Sequence, residues 1–143
     1  MSVPTTTAPR TAAGSARKDL LRTSLRIDSW STAFFGVFLL AGAAWLEGPL
    51  GLPPHWSVPF GVAMLGGAAA LALIAGYPVV PDRLARAVVV LNAVSAVAMV
   101  VLVFTGVLPV NGLGTVFLVM GAVAVTVFAE LEYVGLRRQR NGA

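Results

Sequence analysis

The sequence predicts an all-α membrane protein, a bundle of four transmembrane helices running up-down-up-down with both termini in the cytoplasm. Three observations predict it. Hydrophobic residues make up 57% of the chain and charged residues 11%, against about 45 to 50% and about 25% in soluble domains, so lipid is the solvent this composition fits. Four stretches, Ser29 to Leu46, Val58 to Val80, Ala87 to Leu108 and Leu113 to Ala129, contain no Asp, Glu, Lys or Arg. Each approaches the ~20 residues that cross a hydrocarbon core of about 30 Å, the fourth by continuing past Ala129. All ten Lys and Arg precede the first stretch, separate the second from the third, or follow the fourth. With four spans those places share one side, and the positive-inside rule makes that side cytoplasmic in a plasma membrane.

The elements follow in order. Residues 1–16, rich in Thr, Ala, Pro and Ser, read as a disordered tail. Residues 17–28 set Leu20, Leu21 and Leu25 at helical spacing among Arg17, Lys18, Arg22 and Arg26. That pattern suits either a helix lying on the inner leaflet or an extension of span one. Residues 29–138 form the transmembrane domain and 139–143 a short tail. The first apolar stretch is too long, and too far from residue 1, for a cleaved signal peptide. In the loop EGPLGLPPHWSVP, Pro59 stands where a proline begins a helix. In YPVVPDR, Asp82 is the expected N-cap of span three. Trp30, Tyr77 and Tyr133 fall at inner span ends, Trp45 and Trp56 at the outer face, as amphipathic rings at an interface should.

Polar side chains within apolar runs are costly and so informative. Asn92 and Ser95 share a face of span three. Thr126, Glu130, Tyr133 and Arg137 form a stripe on span four, with Glu130 the deeper acid and Glu132 directed elsewhere. Asp28 sits at a similar depth on span one, with Ser31 and Thr32 on its face. Asn92, Ser95, Thr126, Glu130 and Asp28 are therefore the candidates for a polar path or for interhelical hydrogen bonds. Glu132 is assigned, with Asp28 and Glu130, to an inner-edge belt of ion pairs with Arg26, Arg83, Arg86 and Arg137. Glu47 and His55 bracket a wet loop and are too few for a metal site.

The chain has no cysteine and one histidine, in a loop, which excludes thiol chemistry and haem held between helices. Span one carries Phe35, Gly36, Val37 and Phe38 where small multidrug exporters place a carboxylate. No nucleophile triad or phosphate-binding glycine loop is present, so neither catalysis nor a cofactor is expected. The net charge of +4 reads as topology and contact with anionic lipid heads, not nucleic acid. Small residues, Gly61, Ala68, Ala72 and Gly76 on span two and Gly114 and Gly121 on span four, suit close helix packing, within the chain, in a homo-oligomer or against another membrane protein.

The motifs LRID, LGLP, RAVVVLNA, GLGTVF and AELEYVGLRR together resemble a group of small four-span integral membrane proteins of high-GC actinobacteria. FLLAGAAWL and LGLP give a looser likeness to DoxX-like four-helix proteins, from which Trp45 departs. The resemblance implies topology and supplies no activity or site residues. Two functions are expected from these residues: a noncatalytic subunit, partner or stabiliser of a membrane assembly, or a small oligomeric transporter or channel with a polar path near Asn92 and Glu130.

Overall fold

A computed structural model describes the backbone of residues 10–142 and the side chains of residues 20–142. Regular structure among them is entirely helical: α1 (Arg10–Ala41), α2 (Glu47–Leu50), α3 (Pro54–Ala75), α4 (Asp82–Thr105) and α5 (Gly112–Asn141). Helices α3, α4 and α5 are long and apolar enough to cross a membrane, which makes this a membrane-embedded protein. Helix α1 is longer still at 32 residues, but Arg22, Arg26 and Asp28 occupy its middle and its charge-free part runs only from Ser29 to Ala41.

Several boundaries depart from the sequence pattern. Of the expected tail over 1–16, residues 1–9 lie outside the described residues, and from Arg10 the chain is already helical. Residues 17–28 are thus a helical extension of the apolar part of α1, with Ala12, Ala13 and Ala16 supplying strong helix formers. At the other end α1 stops at Ala41 instead of Leu46. Turn hydrogen bonds from Trp45 and Leu46 N–H to the Gly42 carbonyl bring Leu46 inward, where it is fully buried. Helix α3 begins at Pro54, leaving Pro59 inside it. Pro81, not Asp82, is the N-cap of α4, and no side chain caps it. Asp82 instead occupies the first turn, where its carboxylate accepts from Gln139 Nε2 and lies 3.8 Å from Arg140 Nε.

Helix α1 packs between α3 and α5, and α5 between α1 and α4; α3 and α4, although joined by a tight turn, barely touch. Glycines set these pairings because each admits a neighbour where a Cβ would collide. A Cβ on Gly61 of α3 would meet the Gly36 carbonyl of α1 at 2.9 Å, and one on Gly135 of α5 would meet the Leu21 backbone of α1 at 3.0 Å.

The start of α1, the α3–α4 turn and the end of α5 meet at one end of the bundle. There Arg22 donates to the carbonyls of Tyr77 and Pro78, both at 2.7 Å, and Gln139 donates to that of Val80 at 3.0 Å. Arg83, Arg86, Arg137 and Arg138 lie at the same end, called here the basic end. Just inside it, Leu21, Leu25, Leu71, Val88 and Leu136 form one apolar cluster. At the opposite, proline-rich end, Leu39, Leu46, Leu50, Leu52 and Leu108 form another, backed by Phe38, Trp56 and Phe117. Asn111 ties that end together. Its side-chain oxygen caps α5 at Gly114 N–H, while its amide donates to the carbonyls of Gly48 and Pro49 in α2.

Candidate functional site

Between the two apolar clusters lies a polar layer. One helical turn beyond Leu25, α1 presents Asp28, Ser29 and Thr32; one turn beyond Val88, α4 presents Asn92; one turn before Leu136, α5 presents Glu132. The Asn92 amide nitrogen donates to Asp28 Oδ2 and to Glu132 Oε2, each at 2.9 Å. The Thr32 hydroxyl donates to Asp28 Oδ1 at 3.0 Å. Ser29 anchors α3 to the layer by donating to the Ala68 carbonyl at 2.8 Å. Asp28 is 2% exposed and Glu132 not at all. Asn92 is half-buried.

Local sequence explains each position. On α5 the buried face runs through Gly114, Ala122, Ala129, Glu132, Gly135 and Leu136, small residues at helical spacing that bring α1 and α4 close. Glu132 stands three residues from Ala129 and three from Gly135 on that face, so close packing carries its carboxylate into the interior. Along α4, Asn92 lies about 15 Å from the Asp82 end and about 20 Å from the Thr105 end, inside the apolar stretch.

The layer has a charge problem. Both carboxylates approach one amide nitrogen, which donates but carries no formal charge. Among the described residues the one ion pair is Arg140 with Asp82, so no basic side chain offsets Asp28 or Glu132. Glu132 Oε1 is fully buried and accepts no hydrogen bond. Unpaired charge away from water is among the most expensive arrangements a protein can hold. A positive species bound between Asp28 and Glu132 removes that cost. The acceptors facing one another are carboxylate oxygens, with the Asn92 amide nitrogen and the Thr32 hydroxyl donating to them; carboxylate oxygens suit a proton or a small hard cation. No group of three His, Cys, Asp or Glu side chains that would hold a multivalent metal occurs among the described residues.

The structure brings together Asp28, Asn92 and, against expectation, Glu132. Glu130, the deeper acid by height along α5, is exposed, whereas Glu132 is buried. Counting to the end of the span ranks the two acids by height, whereas their burial is decided by angle around the helix. Ser95 is also exposed and outside the layer, and Thr126 donates to the Ala122 carbonyl of its own helix. The inner-edge belt does not form as drawn: Glu132 meets Asn92, while Arg26, Arg83, Arg86 and Arg137 are exposed and without ion pairs among the described residues. Sequence reasoning set Thr32 on the face of Asp28 and missed Glu132 as the centre of the layer. The available signal was the small-residue face of α5 continued from Gly114 and Gly121 to Ala129 and Gly135. No family model, curated protein or solved structure matches the chain.

Proposed function

We propose that this chain is a noncatalytic four-span integral protein of the plasma membrane, termini cytoplasmic, and that the Asp28–Asn92–Glu132 layer is its working element, a site that takes up and releases a proton or a small monovalent cation. This is the transporter reading, with Glu132 in place of Glu130. The observation that carries it is the pair of buried carboxylates sharing one amide, one of their oxygens having no partner. An ionisable group buried among membrane helices is by default a candidate for an ion or proton site. Apolar clusters on both sides argue for an occluded site that loads when helices part, not for an open pore.

The test is flux and stability together. In liposomes holding a pH-sensitive dye under imposed proton, sodium or potassium gradients, the wild type moves protons or one of the cations, and Asp28→Asn/Glu132→Gln does not. In detergent, the wild-type melting temperature changes with pH or with that cation, and the double variant is insensitive. A wild type showing neither flux nor any dependence would reject the reading.

A second reading, subunit or stabiliser of a larger assembly, is favoured by the outward face of α3. Ala63, Gly66, Gly67 and Ala70 are all exposed there, and a Cβ on Gly66 or Gly67 would meet nothing within 4 Å among the described residues. Such a face lets another helix approach closely. Because the chain has no cysteine, Gly66→Cys places a single crosslinking handle on it. This reading expects a crosslinked product in native membranes, and isolated monomers would count against it.

A further inference from the structure

At the basic end, α4 and α5 diverge around a groove of about 530 Å³, within the ~300 to 1,000 Å³ range of ligand sites. Arg86, Arg137 and Arg140 stand at its rim, and Val89, Val90, Tyr133 and Leu136 line its depth. On each helix the charged residue lies one turn nearer the end than its apolar or aromatic partner: Arg86 before Val90 on α4, Arg137 after Tyr133 on α5. This order, cation outermost, ring between, aliphatic wall within, matches the order of phosphate, glycerol and acyl chain in a leaflet.

The rim has cationic capacity to spare. Arg86 donates its Nε to the Asp82 carbonyl, and its terminal nitrogens make no ion pair among the described residues. Arg137 makes no ion pair among the described residues. Arg140 is the one engaged, with Asp82. The other acid on this face of α5, Glu130, sits one turn deeper than Tyr133 and is not part of the lining, so it does not meet a headgroup held at the rim. Farther along the same two helices, Met99, Val100, Val119, Val123 and Val127 border a second, apolar groove. Val90 and Val100 are about 15 Å apart along α4, a run that an acyl chain can follow.

We infer that the α4–α5 groove at the basic end binds one anionic glycerophospholipid, its phosphate held between Arg86 and Arg137 and an acyl chain laid along the valine face of α4 toward the apolar groove. The inference rests on the chain being embedded in lipid; it does not depend on which side of the membrane the basic end faces. Arg86 lies six residues from Asn92 and Arg137 five from Glu132, so the occupant would hold the same two helices that carry the polar layer.

The test uses the full chain in nanodiscs of phosphatidylcholine with a minority of phosphatidylglycerol, released into native mass spectrometry. Recovery of protein in the discs reports embedding separately from lipid retention. The wild type retains one phosphatidylglycerol in preference to phosphatidylcholine. Arg86→Gln/Arg137→Gln lowers that retention about tenfold or more, whereas Arg83→Gln/Arg138→Gln, which removes equal charge from the same end outside the groove, leaves it within about twofold. Val90→Trp, which fills the groove and keeps every arginine, also abolishes retention. Equal loss from the two arginine pairs would show diffuse surface attraction, and retention that survives the groove pair or Val90→Trp would show no site; either result overturns the inference.

Discussion

At the proline-rich end, Leu39, Leu46, Leu50, Leu52 and Leu108 pack against Phe38, Trp56 and Phe117, and Asn111 fastens the loops from outside. Midway down the bundle, three helices meet through an Asp, an Asn and a Glu that touch one another and, among the described residues, no basic side chain. The first region is held by shape and the second by charge balance. They should therefore respond to different perturbations: the apolar end to lost volume but not to neutralisation, the polar layer to neutralisation but little to volume. A bundle meant only to be rigid has no need of the second arrangement, because apolar residues of the same size often hold helices as well as or better than buried charge.

The largest expected effect comes from breaking the layer while keeping its charge. Asn92→Leu removes the one donor shared by Asp28 and Glu132 and should cost about 3 to 5 kcal/mol, as loss of one partner from a buried charged group does. In the Asp28→Asn/Glu132→Gln background the same change should cost about 1 kcal/mol, the value of ordinary hydrogen bonds. Thermal unfolding in mild detergent across this double-mutant cycle measures the coupling. Equal costs in both backgrounds would mean that charge plays no part in holding the layer.

Leu46→Ala sharpens the contrast from the other side. Leu46 is fully buried in the apolar end, and its truncation should cost about 2 to 4 kcal/mol through the cavity left behind. Because it is remote from the layer and shares no partner with it, the cost should be unchanged, within about 0.5 kcal/mol, when the layer is neutralised. Gly114→Ala comes next. Its new Cβ would run into the Leu50 carbonyl, and forcing α5 away from α2 should cost about 1 to 3 kcal/mol, again independent of pH and of Asp28 and Glu132.

The contrast between the regions also explains what could be read from the sequence. Charge-free runs and clustered arginines are one-dimensional signals, and they located α3, α4, α5 and the basic end. Pairings set by close approach are three-dimensional, and the glycines at 61 and 135 identify their partners only once the helices are in place. The end of α1 was misread because Gly42 to Leu46 is as apolar as the helix before it. Its turn is fixed by where Leu46 can be buried, which composition does not record. Asp82 looked like a cap because Asp caps commonly do, but Gln139 and Arg140, distant in sequence, draw its carboxylate to α5. Asn92 stood out from sequence because an amide in an apolar run has to find a partner; the sequence did not say that the partner was Glu132.

The smallest expected effect is the sharpest test of that last point. Glu130 and Glu132 are two residues apart, about 200° around the helix, so one faces outward and the other into the layer. Glu130→Gln should change stability by no more than about 0.5 kcal/mol, as surface substitutions do, and leave any dependence on pH or cation intact. Glu132→Gln should also preserve the fold, because the new amide can donate to Asp28 where a second carboxylate repelled it. The same exchange removes half of the layer's negative charge and gives the remaining carboxylate, Asp28, a further amide donor, so the dependence on pH or cation should fall sharply. Melting curves of the two variants, recorded against pH and against sodium and potassium, separate stability from response. If Glu130→Gln abolished the response and Glu132→Gln kept it, the outward acid would be the working group and the buried layer only a scaffold.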